Sequence, residues 1–185
     1  TFYFPPDLSA GSFRAKALVD ALSHQLGERD IIDVITTSPN RYKQHYVQAG
    51  EIEKFGIVTI HRIPVPLHQS GMLDQVRSFG YFAWGALRLA RKKRWDVVIG
   101  TSSRLFTATL ATVVAKSQKA SLYLDIRDIF SDTLKDVLLG VSAKILLPLV
   151  KLIERWTINS ADKVNLVSGG FLPFFKAIAP GQHFT

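Results

Sequence analysis

Leu122-Tyr123-Leu124-Asp125-Ile126-Arg127-Asp128-Ile129-Phe130-Ser131-Asp132-Thr133 begins as an apolar, β-prone run and turns charged at its carboxyl end. Asp125, Arg127, Asp128 and Asp132 all fall in its second part. In parallel α/β sheets ligands bind beyond the carboxyl ends of the strands. A charge cluster at that position therefore marks the edge of a cleft, of which this chain is expected to supply one wall.

On the amino-terminal side, Val97-Val98-Ile99-Gly100 is a short, fully apolar strand of the kind found inside a parallel sheet, ended by Thr101-Ser102-Ser103. A helix is expected from about Leu105 to Lys116, then a strand from Ser121 to Asp125. On the other side a long helical segment is expected over about 135–160, with Pro148 as a kink or break. Lys163 to Val167 reads as a strand, and Ser168-Gly169-Gly170 caps a last helix near Phe171 to Ala177.

The first half follows the same alternation. Phe2 to Phe4 reads as a strand end broken by Pro5-Pro6. A loop, Asp7-Leu8-Ser9-Ala10-Gly11, leads into a helix over about 12–26, with Ser12 as N-cap and Ala15, Leu18, Val19, Leu22 and Leu26 at helical spacing. Ile31 to Thr36 is a strand rich in β-branched residues, residues 37–56 are polar and irregular, and Ile57 to Ile63 is a strand. A long helix then covers about 72–93, with Phe79, Phe82, Ala83, Ala86, Leu87 and Ala90 on its apolar side. Strands alternating with helices predict an α/β, Rossmann-like, doubly wound parallel sheet. The 185 residues are expected to form a single domain. Neither end closes an element, so a longer protein is expected.

Composition narrows the chemistry. With no Cys, disulfides and thiolate catalysis are excluded. The five His show no ligand spacing, so no metal site is expected. There is no GxGxxG, no GxxxxGK[ST] and no GxSxG, which leaves dinucleotide, P-loop and α/β-hydrolase readings without support. The net charge of +8 is concentrated in Arg88, Arg91, Lys92, Lys93 and Arg94. That run suits a solvated helix end, an anionic membrane surface or a phosphorylated ligand. Aromatic residues do not interleave with it, and no nucleic-acid partner is expected. The apolar segment 138–153, interrupted by Lys144, Pro148 and Lys151, falls short of a membrane span. It reads either as a core helix or as an interfacial one.

Three strand ends gather candidate site residues. The first loop offers Asp7, Gly11, Ser12 and Arg14 at a helix start, where phosphate binds or an ordinary tight turn sits. Thr101, Ser102 and Ser103 either bind a polar ligand or cap the next helix. In the charged stretch a carboxylate serves as general base or orients a sugar hydroxyl, or else Arg127 pairs internally with Asp125 or Asp128.

The series of motifs resembles a known family. Tyr3-Phe4-Pro5-Pro6-Asp7 with Gly11, Phe13-Arg14 and Asp33-Val34-Ile35-Thr36-Thr37-Ser38-Pro39-Asn40 is similar to the start of family 4 retaining glycosyltransferases. Trp95-Asp96-Val97-Val98-Ile99-Gly100-Thr101-Ser102-Ser103 is similar to that family's D-V-V-I-A-T-S-P strand, and Asp125-Ile126-Arg127-Asp128-Ile129-Phe130 to its D-x-R-D-x-[WF] stretch. Glu154, Ala161-Asp162-Lys163-Val164 and Val167-Ser168-Gly169-Gly170-Phe171 resemble its tail.

The resemblance covers nearly the whole chain in order. It implies the N-terminal, acceptor-side half of a GT-B glycosyltransferase, with the C-terminal donor-binding domain outside these residues. The implied activity is transfer of a sugar from a nucleotide-sugar donor to a saccharide or polyprenyl-linked acceptor, in bacterial polysaccharide or glycoconjugate synthesis. The implied place is the cytoplasm, peripheral to the inner face of the plasma membrane. Carried over, Gly11, Ser12 and Arg14 lie near the donor diphosphate, and Asp128 near the reacting sugar, where relatives keep a His or an acid. Asp7, Thr101, Ser102, Ser103, Arg127 and Asp132 line the acceptor side or cleft. No cofactor and no metal are implied, the nucleotide-sugar being a substrate. A UDP-sugar epimerase of the GT-B type and a non-catalytic sugar- or nucleotide-binding module are alternatives with the same sheet.

Overall fold

β-Branched runs alternating with Ala- and Leu-bearing helices produce an α/β fold with two small sheets rich in parallel pairs. The computed structural model describes residues 1–39, 49–66, 72–102, 105–131 and 141–185. The chain divides into two compact units, Thr1–Lys93 and Arg94–Thr185.

The first unit contains α1 (Ala10–Gln25), β1 (Ile32–Thr37), β2 (Ile52–Phe55), β3 (Val58–Ile63) and α2 (Met72–Ala90). Its sheet has the order β1-β3-β2. β1 and β3 are parallel, from Ile32 opposite Val58 to Thr37 opposite Ile63. β2 is antiparallel to β3 and turns into it through Gly56 at φ +57°, a left-handed conformation that glycine adopts at no steric cost. β2 lies in the stretch that the sequence marks as irregular. Its short Ile-Glu-Lys-Phe run is largely exposed and carries no apolar alternation to announce it.

Residues 2–4 are buried beside β1, although they form no ladder of their own. The carbonyl of Phe2 accepts from Thr36 Oγ1 (3.1 Å), Thr37 Oγ1 (2.8 Å) and the Thr37 N–H (3.2 Å). The Phe2 ring packs on Phe79 and Phe82 of α2. α2 meets β3 at Gly85, where a Cβ would stand 2.8 Å from Ile63 Cγ2, so a side chain there would push helix and strand apart.

α1 begins one turn earlier than the sequence predicts. Ser9 is the N-cap, extended at φ −149° and ψ 153°, and its Oγ accepts the Ser12 N–H at 3.2 Å. Ser12, the expected cap, is instead a buried first-turn residue.

The second unit contains β4 (Val97–Ser102), α3 (Leu105–Gln118), β5 (Ser121–Ile126), α4 (Val141–Asn159), β6 (Lys163–Leu166), a 3-10 turn (Gly169–Phe171) and α5 (Leu172–Ile178). Its sheet, β4-β5-β6, is parallel throughout. Phe184 forms a parallel bridge with Val164, which extends the pairing beyond β6. Leu122, Leu124, Ile126 and Val164 on one sheet face pack with Ala108, Ala115, Ile158, Phe175 and Ala179 of the helices.

Gly100 lets α3 approach β4, since a Cβ there would lie 2.7 Å from Ala111 Cβ and 2.9 Å from Leu124 Cδ2. Asp162, just before β6, locks its register: its carboxylate accepts the Leu122 N–H at 2.6 Å while its own N–H donates to the Leu122 carbonyl. α4 runs through Pro148 as one helix, so the proline does not break it. The expected start of this helix, before residue 141, lies outside the described residues. Among the described residues no helix is long and apolar enough to cross a membrane.

Candidate functional site

The candidate residues fall in both units, at the carboxyl ends of strands or in the first loop. In the first unit the loop after Phe4 turns at once, the Asp7 N–H donating to the Phe4 carbonyl at 3.1 Å. Asp7 is buried, Gly11 half-buried and Arg14 exposed on α1. Ser12 is fully buried, and its Oγ has no hydrogen-bond partner. Its backbone N–H is taken by Ser9, so Ser9 and not Ser12 satisfies the helix start.

Arg62, near the carboxyl end of β3, holds this loop, and nothing in the sequence marks it. Its side chain is 2% exposed. One guanidinium nitrogen, Nη2, donates to the Pro5 carbonyl at 2.7 Å and to Glu53 Oε2 at 2.9 Å. Nε and Nη1 are buried without a partner. The strap thus joins β2, β3 and the first loop. The hydrogen bond from Arg62 holds the Glu53 carboxyl below its usual range, with help from the Gly50 N–H and the Arg62 charge, while burial opposes the shift.

A second ionic cluster lies elsewhere in this unit, near the start of β1. Asp33 accepts from His61 Nε2 at 2.6 Å and from Lys93 Nζ at 2.9 Å. It ties β1, β3 and the residues after α2 together.

In the second unit Thr101 and Ser102, successive residues of β4, face opposite sides of the sheet. Thr101 stands opposite Asp125, which stands opposite Asn165, in a row across all three strands. Asp125 is 3% exposed and accepts from Asn165 Nδ2 at 2.6 Å. Ser102, one step on, is buried opposite Ile126. Asp128 is exposed and Arg127 half-buried in the segment after β5. The internal ion pair, one of the two readings of the charged stretch, is not formed: among the described residues Arg127 bridges neither Asp125 nor Asp128, and its buried Nε has no partner. Asn165 has taken the place beside Asp125 that the sequence reading gave to Arg127. Ser103 and Asp132 lie outside the described residues.

Glu154 of α4, 2% exposed, supports the segment that carries Asp128. Its Oε1 accepts the Phe130 N–H at 3.2 Å. The Phe130 ring meets Phe106 of α3 edge-on at 6.2 Å, and the neighbouring Ser131 is fully buried with its Oγ unpartnered. Thr109 and Thr157 join α3 to α4 at 3.0 Å. The result is an exposed carboxylate, Asp128, on a short segment gripped from behind by a buried one.

Among the described residues no group of three or more metal-ligating side chains is gathered. The arrangement in the second unit is suited to polar recognition: a row of hydroxyl, carboxylate and amide groups at the end of a parallel sheet, followed by an exposed acid. No protein-family model matches the chain, and no curated protein matches it.

Proposed function

We propose that this chain is the acceptor-side half of a retaining glycosyltransferase of GT-B architecture, with the donor half supplied by sequence beyond these residues. The observation that carries the reading is the ordered series of family-like motifs, from Tyr3-Phe4-Pro5-Pro6-Asp7 to Val167-Ser168-Gly169-Gly170-Phe171. The α/β fold with parallel pairing in both units is compatible with it, and the exposure of Asp128 leaves its carboxylate accessible to a substrate.

In this reading Asp128 accepts a hydrogen bond from the acceptor hydroxyl and aims its oxygen at the anomeric carbon. The bond from that carbon to the nucleoside diphosphate breaks, the bond to the acceptor oxygen forms, and the hydroxyl proton passes on the same face to an oxygen of the departing diphosphate. Thr101, near the carboxyl end of β4 in the same unit, contributes a polar contact on the acceptor side. The acceptor is a saccharide or a polyprenyl-linked sugar, handled at the inner face of the plasma membrane.

The test is release of nucleoside diphosphate from a panel of nucleotide-sugars by the protein that carries this chain with its natural continuation. Turnover that falls about 100-fold in Asp128→Asn supports the assignment. Full activity in that variant removes Asp128 from the mechanism, and absence of turnover with every donor and acceptor overturns the reading.

A further inference from the structure

α2 has two faces of opposite chemistry. Phe82, Ala86 and Ala90 are buried on the inner one. On the outer one Tyr81 is 53% and Trp84 70% exposed. Arg77, Arg88 and Arg91 are exposed as well.

At 3.6 residues per turn, positions 77, 81, 84, 88 and 91 fall within about 40° of a single line along the helix. The Arg91 N–H still donates to the Leu87 carbonyl, so the stripe extends past the last assigned helical residue. Arg77 lies 6.0 Å from the Tyr81 ring centre, which holds one end of the stripe together. Asp74 is the one acid of α2; it is half-buried and lies about 60° off the line of the stripe, so the stripe itself carries no acid.

We infer that the Arg77-Tyr81-Trp84-Arg88-Arg91 stripe of α2 docks this chain on an anionic lipid bilayer. Trp and Tyr settle at the level of lipid headgroups, with the ring body in the apolar boundary and the polar edge wet. Arginines placed before and after them on the same line meet headgroup phosphates at that depth. The stripe is convex, being one face of one helix, and suits a plane rather than a grooved partner.

α4 also exposes apolar side chains, Leu149, Leu152 and Trp156. Its exposed cations, Lys151 and Arg155, lie on a line roughly 110° away from them. α2 is the helix that puts aromatic and cationic groups on one line. The proposal deepens the membrane placement in the transferase reading by naming the surface, and vesicle binding is measured without sugar transfer, so either can fail alone.

The experiment is vesicle flotation of the full chain with phosphatidylcholine alone and with phosphatidylcholine mixed with phosphatidylglycerol. The expected result is binding to the anionic vesicles only, weakened by salt. Arg88→Gln with Arg91→Gln lowers the vesicle partition about 25-fold, at about fivefold per arginine. Tyr81→Ser with Trp84→Ser weakens it further, whereas Leu149→Ser with Leu152→Ser leaves it unchanged. In chains that keep Trp84 alone or Trp156 alone, lipids brominated in the acyl chain quench Trp84 and not Trp156. The chain that keeps Trp84 leaves the stripe intact, and the chain that keeps Trp156 retains Tyr81 and the arginines of the stripe with Phe in place of Trp84.

Several results overturn the proposal. These are no flotation with anionic vesicles, equal flotation with neutral ones, quenching of Trp156 in place of Trp84, and loss of binding in the α4 variant alone. Complete displacement from vesicles by a single-stranded oligonucleotide at constant ionic strength assigns the stripe to nucleic acid and overturns it too.

Discussion

Glu154 and Phe130 are joined across the second unit, the carboxylate of one accepting the backbone N–H of the other at 3.2 Å. A buried acid from α4 thereby sets the conformation of the segment that presents Asp128. Replacing Glu154 by Ala leaves that partly buried N–H without its acceptor, at a cost of about 1 kcal/mol. Gln keeps the acceptor oxygen and is expected to cost less. Urea unfolding measures the loss. Amide exchange at Phe130 is expected to speed up in Glu154→Ala and to stay close to wild type in Glu154→Gln.

The Glu53–Arg62 strap gives stability a defined pH dependence. Because the folded chain holds the Glu53 carboxyl below its usual range, the unfolded chain binds the proton more readily. The contribution is complete above the unfolded value, about pH 4.3. It is lost as pH falls through the lower folded value. Urea midpoints of wild type and Glu53→Gln are therefore expected to differ at neutral pH and to converge in acid.

Gly100→Ala places a methyl group 2.7 Å from Ala111 Cβ, which has no rotamer by which to withdraw. α3 and β4 must separate, and the expected loss is about 1–3 kcal/mol. The double variant Gly100→Ala with Ala111→Gly removes that contact and is expected to recover part of the loss in thermal unfolding. The contact with Leu124 Cδ2 at 2.9 Å remains.

Asn165→Asp sets a second carboxylate against buried Asp125, where the amide now donates at 2.6 Å. Two acids at that spacing share one proton, so the folded pair titrates above the ordinary carboxylate range. The expected loss at neutral pH is about 2–4 kcal/mol. It shrinks as pH falls and the shared proton restores a hydrogen bond. Unfolding curves at neutral and mildly acidic pH test both the size and the direction.

The alternation of strand and helix was legible because it rests on local pattern. Val97-Val98-Ile99-Gly100 and Leu122-Tyr123-Leu124 carry their own periodicity, and the residues that follow them fall at strand ends by construction. The placement of Thr101 and Asp125 at the carboxyl ends of β4 and β5 belongs to that legible part, while their register does not. β2 was hidden because Ile52–Phe55 is an exposed edge without an apolar stripe. The choice of Ser9 over Ser12 as cap turns on one extended backbone conformation, and both residues fit the preference equally well.

Arg62 and Asn165, and the role of Glu154, were hidden for another reason. Each acts on a partner supplied by a distant stretch of chain: Pro5, Asp125 and Phe130. Arg127 was misjudged by the converse error. Its nearness in sequence to two acids suggested a bond, whereas Asp125 takes its donor from Asn165 on the neighbouring strand.

The carbonyl of Phe2 collects donors from Thr36 and Thr37, while the ring of the same residue rests on Phe79 and Phe82. One peptide group thus couples the opening segment, β1 and α2. The Thr37 amide proton is consequently a sentinel for the first unit: it is shielded only while all three pieces are assembled, and a single resonance is enough to report their parting.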